Sequence, residues 1–236
     1  MWRPAPTGWM WRKSRLAEPS AKPFVKLKVP LVGVVGGIGS GKSLVARMLA
    51  EAGGTEAVDA DLIGHAALRQ PDLRAEVIRR IGEGPGGGIE GADGEIDRKK
   101  LGALVFADPN LLKKLQQITH PWIRRETVRA LEGEAEKPGA RWVVLDASVL
   151  LESGWRPSLD RLIYVHAPDQ TRRERILSRP GWTEEMWKSR EKAQLPLTEK
   201  RRLSDDEIIN STDLDALGKQ VSCTIQVLEA LASNPA

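Results

Sequence analysis

The chain has 236 residues, of which 41% are hydrophobic and 29% are charged, so it can bury an ordinary globular core. No apolar run reaches the ~18 residues of a membrane-spanning helix, which argues against a membrane partner. The single cysteine, Cys223, excludes an intrachain disulfide and suits a reducing, cytoplasmic location.

The net charge of +4 is concentrated near the amino terminus. Residues 1–30 contain seven Lys and Arg against one Glu, whereas the remainder contains 29 Lys and Arg against 31 Asp and Glu. A basic arm therefore precedes a nearly neutral body, and we expect no nucleic-acid partner.

The arm, residues 1–28, carries three tryptophans among prolines and basic residues, without a periodic apolar face. It lacks the apolar core of a secretory signal, and its prolines oppose the amphipathic helix of a mitochondrial presequence. We interpret the arm as a disordered tail, or as residues upstream of a true start near Met10 or later. Residues 29–236 are assigned to one folded domain.

The first predicted elements surround a phosphate-binding motif. An apolar strand over residues 31–35 runs into GGIGSGKS at residues 36–43, which matches G-x-x-x-x-G-K-[ST] in full, and a helical segment follows over residues 44–52. Glycines let backbone N–H groups curl around phosphates, and the helix adds its positive end. Lys42 suits the β- and γ-phosphates, and the Ser43 hydroxyl suits Mg²⁺. The predicted ATP-binding residues are Gly37, Ile38, Gly39, Ser40, Gly41, Lys42, Ser43 and Leu44.

The remaining elements alternate between strands and helices. A second strand is predicted over residues 56–59, and its end is followed by Asp61. Helical spacing marks residues 73–81, 101–105, 111–118 and 123–131, with a glycine-rich loop over residues 82–94. We expect Pro121 to begin a new helix. Further strands are predicted over residues 142–146, 161–165 and 207–210, before a closing helix over residues 214–231.

This alternation predicts an α/β fold of three layers, in which a five-stranded parallel sheet is covered by helices on both faces. The helical stretch between the second and third strands is too long for a simple crossover. We therefore predict an inserted helical subdomain over residues 70–135.

A phosphate loop alone does not separate kinases from other nucleotide-binding proteins. GTP specificity is disfavoured because no Asn is followed by Lys, as the guanine motif N-K-x-D requires. Asp61, near a strand end, is a candidate base or metal-ordering acid, with a helix N-cap as the alternative. Asp59 fits the cap better. Asp146 closes the third strand, as an acid that holds Mg²⁺ does, although a structural strand-end role stays open.

Arginines are dense over residues 172–182, before a break at Pro180 and Gly181. Kinases need a cover whose arginines neutralise the transferring phosphoryl group and exclude water. We predict a lid over residues 172–196 and choose Arg179 for this role. The other arginines of the segment are interpreted as a solvated helix face: Arg172, Arg173 and Arg175.

Several short motifs, taken in order, resemble the dephospho-coenzyme A kinase family over residues 31–231. They are the phosphate loop, Asp59-Ala60-Asp61, GEIDRKKL at residues 94–101, Val105-Phe106, ITHP at residues 118–121, Gln194 with Pro196-Leu197, Lys200-Arg201 and INS at residues 209–211.

The resemblance implies transfer of the γ-phosphoryl group of ATP to the ribose 3′-hydroxyl of dephospho-CoA, with Mg²⁺ as cofactor and a helical insertion that binds this acceptor. It implies that Asp61 is the general base and that His120 lies near the acceptor, and both are assigned to acceptor binding. The alternatives are another P-loop small-molecule or nucleotide kinase, and an idle nucleotide-binding regulator. The presence of Lys42 and Asp61 disfavours the regulator.

The chain also departs from the family pattern. Where the family typically reads D-x-P-L-L-F-E, residues 146–152 read DASVLLE, so the proline is replaced by Ser148 and the phenylalanine by Leu151. The Arg-Asp usual at the lid is Arg179-Pro180, and a usual Gln is Arg172. None of these changes removes a group that the reaction requires.

Overall fold

A computed structural model describes residues 22–82, 88–91, 94–210 and 213–233, with the side chain of Phe106 left out. Most of the predicted arm lies outside the described residues, as do Ser211 and part of the glycine-rich loop. No helix in the described ranges combines the length and apolar character that a membrane crossing needs.

Five parallel strands form one sheet in the order β2-β3-β1-β4-β5, which confirms the predicted architecture. Their bounds are Leu31–Gly36 for β1, Val58–Asp59 for β2, Val143–Asp146 for β3, Arg161–His166 for β4 and Asp206–Ile209 for β5. Every residue of the central strand β1 is buried, as expected for a parallel strand covered on both faces.

Nine α-helices lie in the described part of the chain, and most begin or end within a few residues of the predicted segments. Their bounds are Lys42–Ala52 (α1), Ala60–Ala67 (α2), Pro71–Val77 (α3), Arg98–Ala107 (α4), Pro109–Ala135 (α5), Asp169–Leu177 (α6), Glu184–Lys192 (α7), Leu197–Leu203 (α8) and Leu214–Ser233 (α9). A π-helical turn, Ile78–Gly82, extends α3, and a 3₁₀ turn, Arg156–Ser158, precedes β4.

Two apolar clusters hold helices to opposite faces of the sheet. On one face, α1 and α9 pack on Val34 and Ile163 through residues such as Leu49 and Leu217. On the other face, Leu131 of α5 and the segment after β3 pack on the sheet. The three-layer arrangement follows from these two clusters.

The helices between β2 and β3 have a core of their own. Val77, Ile81, Leu101 and Val105 pack together, with the first half of α5 against them. The second half of α5 belongs to the sheet core instead, where Leu131 is fully buried. The long helix therefore connects the insertion to the sheet.

The prediction that Pro121 begins a new helix is wrong, because α5 runs through Pro121 without a break. Proline cannot donate the hydrogen bond that a helix interior expects. The helix survives because each half is stabilised by its own apolar cluster, and Pro121 itself is exposed.

Replacing Pro121 with alanine restores the amide that faces the Gln117 carbonyl. We expect Pro121→Ala to raise the free energy of unfolding by about 1–3 kcal/mol, measured by urea denaturation. Lys114→Ala, at an exposed position of the same helix, is the control and should change it by less than about 0.5 kcal/mol. A destabilised Pro121→Ala variant would show that the proline fits α5 better than alanine.

Candidate active site

The phosphate loop joins the central strand β1 to α1. Gly39 and Gly41 have φ values of 83° and 88°, a left-handed conformation that glycine adopts without steric cost. Gly41 is also the N-cap of α1 and offers no side chain to the first turn. The N–H groups of Lys42 and Ser43 therefore lack an intrahelical acceptor and are available to an anion.

Asn210, the residue that follows β5, fixes the phosphate loop through hydrogen bonds. The side-chain amide of Asn210 donates to the Ser40 carbonyl at 2.8 Å, and the Asn210 backbone N–H donates to the His166 carbonyl at 2.7 Å. A Cβ at Gly41 would lie 2.1 Å from the Asn210 amide nitrogen. This close approach is a second reason for glycine at position 41.

Two arginines of α6 contact the phosphate loop. Arg172 donates to the Ile38 carbonyl at 3.2 Å, and Arg175 lies 3.4 Å from the carbonyl oxygens of Gly39 and Ser40. Arg172 is 2% exposed, so the prediction that it belongs to a solvated helix face is wrong. The density of arginines misleads here because this side of α6 packs against the phosphate loop and against α7.

Arg172 connects α6 to α7 through charge. Its guanidinium contacts both carboxylate oxygens of Glu191 and donates to Asp169 at 2.8 Å. It also stacks on the Trp187 ring at 5.3 Å from the centroid. Burial alone would lower the pKa of this guanidinium, but the hydrogen bonds that it donates to Glu191 and Asp169, with the negative charges of these two residues, outweigh burial and raise the pKa. Arg172 therefore stays charged.

Lys42, the first residue of α1, faces the end of β3. Its Nζ lies 3.2 Å from Asp146 Oδ1, and the Asp146 side chain is 4% exposed. Lys42 and Asp146 form an ion pair without a hydrogen bond. The Oδ1 atom of Asp146 can therefore still accept a hydrogen bond or bind a cation. The strand register explains why Lys42 and Asp146 are close, since Val34 of β1 pairs with Asp146 of β3.

Asp59 and Asp61 divide two roles at the start of α2. The Asp59 side chain caps the helix by accepting from the Leu62 N–H at 2.9 Å, as expected. Asp61 lies in the first helical turn rather than at a strand end, and its Oδ2 accepts from the Ser148 hydroxyl at 2.6 Å. Because Asp59 pairs with Asp146 across β2 and β3, Asp61 lies beside the segment that follows β3.

A buried lysine supports that segment. Lys200 of α8 is fully buried and donates to the Ser148 carbonyl at 3.0 Å and to Gln194 Oε1 at 2.8 Å. Its Nζ pairs with Glu152 Oε1 at 3.2 Å, and Glu152 also accepts from the Leu195 N–H. Burial lowers the pKa of Lys200, an effect that Glu152 opposes and nearby Lys42 reinforces.

Two further predicted site residues, His120 and Arg179, make no polar contact with the phosphate loop in the described part of the chain. His120 is partly buried on α5, and burial, with a smaller effect of Arg124, lowers its pKa. Arg179 is exposed in the turn between α6 and α7. In the described part of the chain, no hydrogen bond or ion pair joins either side chain to the phosphate loop.

Sequence reasoning missed several side chains that shape this site. Asn210, Lys200 and Gln194 enter the sequence analysis only as parts of the resemblance. Asn210 follows the last strand, and a polar residue at a strand end of a parallel sheet is a recognisable candidate, whereas no local pattern marks a buried lysine. For Ser148 the sequence indicates a departure from the family pattern but not a contact with Asp61.

The fold and this loop define a P-loop kinase: a central parallel strand runs into a glycine cradle and a helix, and the Asp146 carboxylate lies beside the lysine. The chain matches the dephospho-CoA kinase family (CoaE) over residues 30–216, and it belongs to that family.

One curated relative and two solved structures show how far the similarity extends along the chain. A dephospho-CoA kinase from Deinococcus radiodurans is 39% identical over 84% of this chain and 92% of its own length. The crystal structure of TT1252 from Thermus thermophilus superposes with a TM-score of 0.69 at 31% identity, covering 85% of this chain and 98% of that chain. A dephospho-CoA kinase from Campylobacter jejuni shares the fold at 24% identity and a TM-score of 0.61, over 85% and 97% of the two chains.

We expect the buried Lys200–Glu152 ion pair to affect the free energy of unfolding. Lys200→Met leaves the Glu152 carboxylate buried and without its cation, which should lower the free energy of unfolding by about 3–5 kcal/mol. The double variant Lys200→Met/Glu152→Leu removes both charges and should recover at least half of this loss in urea denaturation. No recovery would show that the packing of Lys200, and not its charge, stabilises the segment.

Proposed function

We propose that this chain transfers the γ-phosphoryl group of ATP to the ribose 3′-hydroxyl of dephospho-CoA, the final step of coenzyme A biosynthesis. The observation that carries the proposal is the family match over residues 30–216, which includes the phosphate loop and Asp61. The single cysteine supports a cytoplasmic site of action.

ATP binds in the phosphate loop through backbone N–H groups and the charge of Lys42. The free first-turn amides of α1 and the left-handed glycines support this placement. Lys42 is 15% exposed, so its ammonium group is accessible to the β- and γ-phosphates. The residues assigned to ATP are Gly37, Ile38, Gly39, Ser40, Gly41, Lys42, Ser43 and Leu44.

Mg²⁺ fits the oxygen donors beside Lys42. We assign the Ser43 hydroxyl and the Asp146 carboxylate to it, and the unused acceptor position of the buried Asp146 Oδ1 supports this choice. Within the described ranges there is no group of three or more His, Cys, Asp or Glu that could hold a metal. When bound, Mg²⁺ neutralises charge on the phosphates.

Asp61 is the general base. Its carboxylate accepts the proton of the 3′-hydroxyl while the hydroxyl oxygen forms a bond to the γ-phosphorus. The bond between this phosphorus and the bridging β–γ oxygen breaks, ADP leaves with the electron pair, and Asp61 passes the proton to solvent.

The acceptor lies against the helical insertion, with His120 beside it. Burial lowers the pKa of His120, which favours a neutral imidazole at physiological pH. A neutral ring hydrogen-bonds the acceptor without adding charge.

The segment 172–196 acts as the lid. Arg179 lies in the exposed turn between α6 and α7, inside this lid, and we assign it to neutralise charge on the transferring phosphoryl group. Arg172 and Arg175 already contact the loop and add positive charge around the triphosphate.

Replacing the proposed base tests the assignment of Asp61. Asp61→Asn should lower kcat by about 10²–10⁴-fold while the ATP dissociation constant changes less than about twofold, because the amide cannot accept the proton. Asp59→Asn is a matched control, two residues away, and keeps an N-cap. Its kcat should stay near the parent value. Loss of ATP binding in Asp61→Asn would refute the role as base.

A panel of acceptors tests the substrate. ATP consumption should rise above the no-acceptor rate only with dephospho-CoA, and not with AMP, shikimate or pantothenate. Equal turnover with AMP would assign the chain to a different nucleotide kinase. A chain that binds ATP and shows no turnover with any acceptor would be a regulator.

A further inference from the structure

Ser148 makes two contacts with the carboxylate assigned as the base. Its backbone N–H donates to Asp61 Oδ2 at 3.1 Å, and its hydroxyl donates to the same oxygen at 2.6 Å. Asp61 Oδ1 has no hydrogen-bond partner among the residues that the structure describes. One oxygen of the carboxylate is held, and the other is free to accept from a substrate hydroxyl.

Ser148 is itself held in place. Its carbonyl accepts from Lys200 Nζ, and Lys200 is anchored by Glu152 and Gln194 in the interior. Leu150, two residues later, is fully buried in the sheet core. The two donors therefore belong to a turn that is anchored to the interior by Lys200 and by Leu150, so their direction is defined.

Ser148 is also the position where this chain departs from its family pattern. The proline that the pattern has there would supply neither an N–H nor a hydroxyl. The paired donation to Asp61 is therefore a feature of this chain's own sequence, and no motif of the resemblance accounts for it.

We propose that Ser148 is a positioning residue for phosphoryl transfer, which holds Asp61 Oδ2 so that Oδ1 meets the acceptor hydroxyl. The inference rests on the proposed role of Asp61 as the base. A free aspartate side chain rotates about two bonds, and misplacing a reacting group by about 1 Å can lower the rate up to ~10²-fold. Ser148 selects the rotamer in which the free oxygen serves as base.

Variants at position 148 test the proposal. Ser148→Ala removes the hydroxyl donor and keeps the N–H, so kcat should fall about tenfold while the KM values for ATP and dephospho-CoA change less than about twofold. Ser148→Thr keeps both donors and should retain at least half of the parent kcat. Ser153→Ala removes a hydroxyl from the same segment and should leave kcat unchanged.

A double-mutant cycle separates this inference from the proposal about Asp61. In an Asp61→Asn background, Ser148→Ala should lower the residual rate, followed with radiolabelled ATP, by less than about twofold, because no base remains to be positioned. A full-size loss in that background, or an unchanged kcat for Ser148→Ala alone, would overturn the role of Ser148. An active Asp61→Asn variant would instead overturn the base itself.

Discussion

The parallel alignment of β2, β3 and β1 is the constraint on which the rest of the site depends. In a parallel sheet the carboxyl ends of the strands lie at one edge, and here the ends of all three strands carry groups of the proposed site. β1 leads to the phosphate loop, β3 ends at Asp146 and leads to Ser148, and β2 leads to Asp61. The register brings Asp146 against Lys42 and Ser148 against Asp61. A shift of one residue would turn these side chains to the opposite face.

Charge around the phosphate loop is distributed between exposed and buried groups. Lys42 is partly exposed, whereas Arg172 and Lys200 are almost fully buried and carry their own carboxylate partners. Burying a charge is costly unless it is paired, and each pair here joins two segments of the chain. Glu191 links α7 to Arg172, and Glu152 links the segment after β3 to Lys200. The same ionic contacts that hold these segments also keep positive charge near the place where phosphates bind.

The architecture and the phosphate loop could be predicted from local patterns. The apolar run before GGIGSGKS predicts a buried strand, and the alternation of elements predicts a parallel sheet, because both signals lie within short stretches of sequence. Local patterns are less informative for α5, where Pro121 predicts a break in the helix. The helix continues because each of its two halves packs in its own apolar cluster. Local patterns are also misleading for Arg172, since a run of arginines shows that a segment is polar but not whether another helix covers one of its side chains.

The sequence by itself determined the phosphate cradle, the capping role of Asp59, the family resemblance and the candidate carboxylates, because each depends on residue type at close spacing. Only the tertiary structure decided which distant side chains meet. The Ser148 contact with Asp61 spans 87 positions, and the Asn210 contact with Ser40 spans 170. Such contacts depend on strand order and register. Both are set by the packing of the whole sheet and cannot be predicted from the residues of any single segment.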